Sequence, residues 1–463
     1  MRRIDARAEA AEAVAHRLRR PWLGAVEPSP AVAARTAAVF GRPITPMAAV
    51  QEIVDSIAAG RSDAVLLEWV RRIDRVDLGP ERLFVSNEEI AAARAGLPAE
   101  LRDAMEQAAR HIRLYHQSVA RPGWLTPTDS GALIGQRVTP LDRVGIYVPA
   151  GRAPLISTAL MAIIPAAVAG VREVIVATPC RADGEVDPLL LAACDFAGAH
   201  RILRVGGAHA VAALAYGTET VPAVDKIVGP GNLFVQLAKR AVFGQVGIDG
   251  LEGPSEIAVL ADATADAAWV ASDLVSQAEH EPDAAAVLIT PAPELIDAVE
   301  AAVAAELSDL PRREVAAEAF ARWGAAILCR DLAQGIELVN ALAPEHLEIV
   351  TEDPWSLLPH VRHAGAIFLG PWATVPFGDY IAGPPHVLPT NGAARFASPL
   401  TVDDFVKRSS VIAYGAAAAR CDGPAAIHLA TAEGLLGHAR AIKRRLSDGG
   451  ESDGDGRAAG SDD

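Results

Sequence analysis

The chain has 463 residues, 51% of them hydrophobic and 22% charged, the proportions of a folded globular protein rather than a disordered one. Its formal charge of −16 and the lack of any basic run exclude a nucleic-acid binder. Four widely spaced cysteines, Cys180, Cys194, Cys329 and Cys421, with no Cys-x-x-Cys pair, exclude a disulfide framework and a thiolate metal site.

The first twenty residues alternate charges with alanines and lack the apolar core of a secretion signal, so the chain reads as cytoplasmic. Residues 1 to about 125 read mainly as helices: segments 47–74 and 88–120 carry apolar residues at three- and four-residue intervals, as a helical cap would. From Val144 the pattern changes to short β-branched runs, "VGIYVP", "EVIVATP", "RILRVGG" and "DKIVGPGN", each leading through a Gly or Pro turn into an alanine-rich helix. The apolar stretch Ile156 to Val171 contains Pro165 and falls short of the roughly 20 residues a membrane span needs. A second series follows: "EIAVLAD" before a helix over 264–280, then "AVLIT", "AAILC", "LEIV" and "GAIFLG". This alternation predicts an α/β fold with two parallel-sheet units flanked by helices. Residues 401–446 return to helix, and 447–463, mostly Gly, Ser and Asp, form a disordered acidic tail dispensable for catalysis.

Four segments carry candidate chemistry. In "DLVSQAEHEPD", Gln277 and His280 lie three apart and share a helical face; they either grip one ion or cap a helix end. "NALAPEHLEIV" sets Glu345 beside His346 just before a strand, where a carboxylate and an imidazole divide proton work, or where a turn exposes two polar residues. "FGDYIAGPPHVLPTNGAARF" is a Gly- and Pro-rich loop with Asp379 and His386, either lining a site or lying on the surface. "ATAEGLLGHARAIKRRL" reads as a basic surface helix in which Glu433 and His438, five apart, do not share a ridge. The glycines of "VGGAHA" and "VGPGNLF" lie where backbone N–H groups meet phosphate, but they do not form a Gly-x-Gly-x-x-Gly fingerprint, and tight turns account for them.

Taken together and in order, "VGIYVPAGRAPLISTALMAIIPAAVAG", "GPGN", "GPSE", "SDLVSQAEHEPD", "APEHLE", "GDYIAGPPHVLPT" and "AEGLLGH" closely resemble the signature blocks of histidinol dehydrogenase, from about residue 45 to 446. The resemblance implies two Rossmann-like parallel-sheet domains of related architecture with small helical N- and C-terminal extensions. Their expected bounds are 1–40 for the N-terminal extension, 41–146 with 255–400 for a larger catalytic and metal-holding domain, 147–254 for an inserted domain on the NAD side, and 401–446 for a helical segment reaching a partner subunit. It further implies NAD-dependent oxidation of L-histidinol to L-histidine, with one zinc per subunit on Gln277, His280, Asp379 and His438. His346 becomes the main general base and Glu345 the group that activates water. Ser255, His386 and Glu433 join Gln277, His280, His346, Asp379 and His438 around the substrate, and Tyr147, His209 and Asn232 contact NAD. The family's intertwined homodimer implies that Glu433 and His438 act in trans.

Three positions depart from the family pattern: His209 stands where glutamine is usual, Glu252 where a small residue precedes Gly253, and Pro385 where asparagine is common. A dehydrogenase for another small alcohol, such as a sulfopropanediol, is the rival reading within the class, and retention of Glu433 argues against it. A metal-dependent hydrolase predicts turnover without NAD, and a non-catalytic binding protein predicts that His346→Ala changes no turnover.

Overall fold

Apolar residues at consecutive strand positions need cover on both sheet faces, and this chain supplies it twice. The computed structural model describes residues 1–20, 28–150 and 154–447. Its strands in chain order are β1 (Arg2–Asp5), β2 (Trp124–Pro127), β3 (Leu133–Pro140), β4 (Arg143–Tyr147), β5 (Glu173–Ala177), β6 (Arg201–Leu203) and β7 (Lys226–Val228). They continue with β8 (Gly247–Ile248), β9 (Glu256–Ala261), β10 (Ala285–Thr290), β11 (Ala325–Leu328), β12 (His346–Val350), β13 (Ala366–Leu369) and β14 (Val406–Ala413). Each of the β-branched runs read from Val144 to Gly370 is a strand.

The chain divides into two units: Met1–Ala120 with Pro140–Phe405, and Arg121–Thr139 with the chain from Val406 onward. The large unit holds two parallel sheets, one ordered β1-β11-β10-β9-β12-β13 and the other β6-β5-β4-β7-β8. In the five-stranded sheet Val174 and Val176 face one core while Ile175 and Ala177 face another, the period of two expected of a doubly covered strand. The six-stranded sheet repeats the arrangement, with Ile257 and Val259 on one side and Ala258 and Leu260 on the other.

The N-terminal third departs from the expected domain bounds. Helices Pro46–Gly60, Asp63–Ile73, Asn87–Ala95 and Ala99–Val119 pack against the helices that flank the five-stranded sheet, not with the six-stranded one. The reason is area: the flanking helices Pro188–Ala197 and Gly207–Tyr216 are apolar nearly all round, and a second layer of helices buries their outer sides. Nor are residues 1–40 only helical, because β1 adds an edge strand beside β11, with Arg2 opposite Ala325. Only Ile4 of that strand is buried, so backbone pairing rather than an alternating pattern defines it.

The small unit also differs from the all-helical reading of 401–446. β14 precedes helices Ala416–Ala432 and Leu436–Ser447 and joins β3 and β2 in a three-stranded sheet. Its side chains are mostly exposed, which removes the alternation that marks a strand in sequence. Of the acidic tail only Ser447 is among the described residues, where it ends the last helix. No described helix is long and apolar enough to cross a membrane.

Candidate functional site

Glu345 and His346 stand at the entry to β12, next to the start of β9. Both are buried. His346 Nδ1 lies 3.0 Å from the Glu256 carbonyl oxygen, which can only accept, so Nδ1 carries the proton and Nε2 keeps its lone pair. That Nε2 is buried and has no hydrogen-bond partner. Burial, with the nearby His280 and His386 rings, lowers the His346 pKa to about 4, so the ring is neutral at pH 7. Glu345 Oε2 accepts the Glu256 N–H at 2.9 Å and lies 3.5 Å from His346 Nδ1. Burial, reinforced by the charges of Glu256 and Asp379, raises the Glu345 carboxyl well above its usual range. A neutral imidazole with a free lone pair beside an acid of raised pKa is an arrangement for moving protons.

Main-chain groups of Ser255 and Glu256 set this geometry, and a residue the sequence reading missed holds them. Arg20 is buried, with Nη2 2.6 Å from Glu256 Oε2 and Nη1 donating to the Asp283 carbonyl at 2.7 Å. Glu256 Oε1 in turn accepts the Asn391 N–H at 2.8 Å. Arg20 lies 235 residues from Ser255, to whose carbonyl it also donates, and no local motif could reveal that link.

Gln277 closes helix Ala267–Ala278, started by Asp266, whose side chain accepts from Ala268 N at 2.8 Å. The helix is shorter than the expected 264–280: His280 lies past its end, with Pro282 disfavouring helix at Glu281. The His280 N–H still reaches the Gln277 carbonyl at 3.3 Å, so the two residues share one turn. Both Gln277 amide atoms are buried without a partner. Asp379 sits near the end of a short helix, Val375–Tyr380, inside what sequence marked as loop. Burial raises its carboxyl to about 6. His111 Nδ1 holds the Ile381 carbonyl at 2.7 Å, and Gly383, at φ +108°, passes so close to the His111 backbone that a Cβ would collide with it. His386 follows, its Nε2 3.5 Å from Thr158 Oγ1 and its pKa lowered to about 4 by burial and by His280.

The donor types suit a borderline metal ion, which takes nitrogen and oxygen donors: the unpartnered Gln277 amide, the His280 imidazole on the same turn and the Asp379 carboxylate. Among the described residues of one chain, no three His, Cys, Asp or Glu side chains are grouped so as to hold an ion. Gln277, His280 and Asp379 belong to the large unit; Glu433, ending helix Ala416–Ala432, and His438, on helix Leu436–Ser447, belong to the small one, where both are exposed.

On the five-stranded sheet the strand order reverses between β4 and β7, and a cleft of about 1390 Å³ opens past their C-terminal ends. Tyr147, Gly207 and Asn232 line it. Tyr147 Oη accepts the Gly207 N–H at 3.0 Å, and Asn232 caps helix Leu233–Val242 through Phe234 N at 3.0 Å. Gly229, at φ +114°, lies against the Tyr147 carbonyl, leaving no room for a side chain. His209 does not reach the cleft: it is fully buried, with Nε2 2.9 Å from Asp74 Oδ2. Glu252, the other departure in this region, is matched by its surroundings. Gln236 donates to it at 2.8 Å, and Lys239, fully buried, lies 2.9 Å from Glu252 and 2.6 Å from Asp249 while donating to the Gly229 carbonyl at 3.0 Å.

The family model described as histidinol dehydrogenase matches residues 44–446. The histidinol dehydrogenase of Halalkalibacterium halodurans is 49% identical over 401 residues, covering 86% of this chain and 94% of that protein. That of Chromobacterium violaceum is 51% identical over 405 residues, covering 87% and 93%. The crystal structure of histidinol dehydrogenase from Elizabethkingia anophelis superposes with a TM-score of 0.88 at 32% identity, covering 97% of this chain and 98% of that one.

Proposed function

The chain belongs to the histidinol dehydrogenase family, and from that premise we propose that it oxidises L-histidinol through L-histidinal to L-histidine, the last step of histidine biosynthesis, with NAD as hydride acceptor. The observation that carries the reading is the fixed His346 ring: Nδ1–H on a carbonyl, Nε2 buried and unpartnered, Glu345 alongside.

His346 Nε2 takes the hydroxyl proton as hydride departs in the first oxidation. Glu345 takes a proton from the water that adds to the aldehyde, and His346 receives the hydrate's proton in the second oxidation. NAD, when bound along Tyr147 and Asn232, supplies the hydride acceptor. Ser255, Gln277, His280, Asp379, His386, Glu433 and His438 hold and orient the substrate. Zinc, one ion per subunit, would sit on Gln277, His280, Asp379 and His438 and supply a cation that orients the substrate's imidazole and amino nitrogens.

The site is completed by a second copy of the chain, with Glu433 and His438 acting in trans. The large unit exposes Trp269, Trp372, Phe377 and Tyr380, with Trp269 and Trp372 ring centroids 4.9 Å apart, and the small unit exposes Leu429, Leu435 and Leu436. Apolar surface of this kind supports burial against a partner.

Separate assays on the alcohol and the aldehyde test the division of labour. His346→Ala should cost about 10²–10⁴ in both oxidations, and Glu345→Gln should slow histidinal oxidation far more than the first step. Histidinal oxidation at the wild-type rate by Glu345→Gln would remove Glu345 from the mechanism.

A further inference from the structure

Asp74 follows helix Asp63–Ile73 and presents its carboxylate to the wall of the dinucleotide cleft. The cleft wall there carries Val39, Phe40, Ala49, Ile53 and Ile73, a surface suited to a flat aromatic base, together with the polar Arg35 and Thr36. One carboxylate oxygen is held from behind by His209 Nε2 at 2.9 Å. The His209 ring is fully buried and lies under Gly207, where a Cβ would sit 3.2 Å from its Cε1. Gly207 is tied by its N–H to the Tyr147 hydroxyl, so Asp74, His209, Gly207 and Tyr147 form one connected wall.

This wall stands on the five-stranded sheet, whereas His346 stands on β12 of the six-stranded one. The cleft is lined at one place by Asp74 and at another by Val387 and Leu388, which follow His386 in the chain. A dinucleotide lying in it with its nicotinamide end toward His386 and His346 therefore has its adenosine end toward Asp74. A carboxylate there accepts hydrogen bonds from vicinal ribose hydroxyls, and its charge opposes a 2′-phosphate.

We infer that Asp74, oriented by His209, receives the adenosine ribose of NAD and makes the protein reject the 2′-phosphorylated dinucleotide. The inference rests on the NAD reading given above. Asp74 is then the residue that discriminates, and His209 a positioning residue that fixes its rotamer. Histidine in place of the family's usual glutamine keeps this arrangement, because either side chain can present an N–H donor to the carboxylate.

The test is fluorescence titration of the wild-type protein and its variants with NADH and with NADPH, without alcohol, followed by kcat/KM on histidinol with NAD and NADP. The wild type should bind NADH at least about tenfold more tightly than NADPH, the worth of one charge-assisted hydrogen bond. Asp74→Asn should weaken NADH about tenfold, strengthen NADPH and so abolish the preference, raising KM for NAD with kcat little changed. His209→Gln should retain the preference and His209→Leu should lose it, a contrast that packing alone would not produce. Should Asp74→Asn fail to fold, Asp74→Ser provides the same readout. Equal binding of the two dinucleotides by the wild type, or an unchanged preference in folded Asp74→Asn, overturns the inference. Selective NADH binding without histidinol turnover supports the inference and sinks the substrate reading instead, and binding of neither dinucleotide overturns the inference together with the NAD reading.

Discussion

Leaving a buried amide unpaired costs about 1–3 kcal/mol, and Gln277 leaves both of its polar atoms so. A core under selection for stability alone would hold leucine there, because an apolar side chain of similar volume carries no such penalty. Gln277→Leu should therefore leave Tm unchanged or raised while weakening zinc about 10–100-fold, read by metal analysis after dialysis against a weak chelator. Zinc retained at the wild-type level would contradict the role given to Gln277. At this scale sequence reveals side chains that belong to motifs: Gln277, His280, Glu345 and His346 stand in short polar runs at element ends. It does not reveal Arg20 or the Glu256 carbonyl, because one acts across 235 residues and the other is main chain. His209 is a related case, since the motif marks its position but not that its ring turns inward to Asp74.

Elements carrying the site are joined by a pair of carboxyls, Glu348 fully buried and Asp273 half-buried. Glu348 on β12 accepts the Val375 N–H at 2.9 Å, anchoring the short helix that bears Asp379. Burial, and then Asp273 on the helix that bears Gln277, pushes the Glu348 carboxyl up to about 9. A folded-state pKa above the unfolded one means that the folded protein holds a proton the unfolded chain releases. The stability linked to Glu348 is fully present below about pH 4.5 and is lost as pH rises toward 9. Glu348→Gln, uncharged throughout, should flatten the decline of Tm between pH 6 and 9 and be the more stable protein at pH 9. A parallel decline in both proteins would show that Glu348 stays ionised. Strands and covering helices are the most legible elements because continuous apolar runs and three-to-four spacing record what their faces bury. β1, β2, β3 and β14 escape notice because their exposed faces leave no such record and pairing alone holds them.

At the scale of the whole molecule, one chain carries the buried Glu345 and His346 and the cleft lined by Tyr147 and Asn232 in its large unit, and exposes Glu433 and His438 in its small unit. If those residues serve the partner's site, a chain lacking His346 and a chain lacking His438 are complementary. Coexpressed His346→Ala and His438→Ala chains should recover roughly a quarter of wild-type activity, because half of the randomly paired dimers contain one intact site of two. No recovery would place the C-terminal residues in their own chain's site. The two parallel sheets are readable from pattern, whereas the packing of residues 46–119 against the helices of the five-stranded sheet is not, since amphipathic helices do not specify which apolar face they cover.

Four-electron oxidation at a single site is the central claim, and the yield of NADH from a limiting amount of L-histidinol, with zinc present, measures it directly. The account predicts two NADH for each histidinol consumed, with L-histidine as product and no such yield from His346→Ala. A yield of one with the aldehyde accumulating, or no NADH at all, would contradict it.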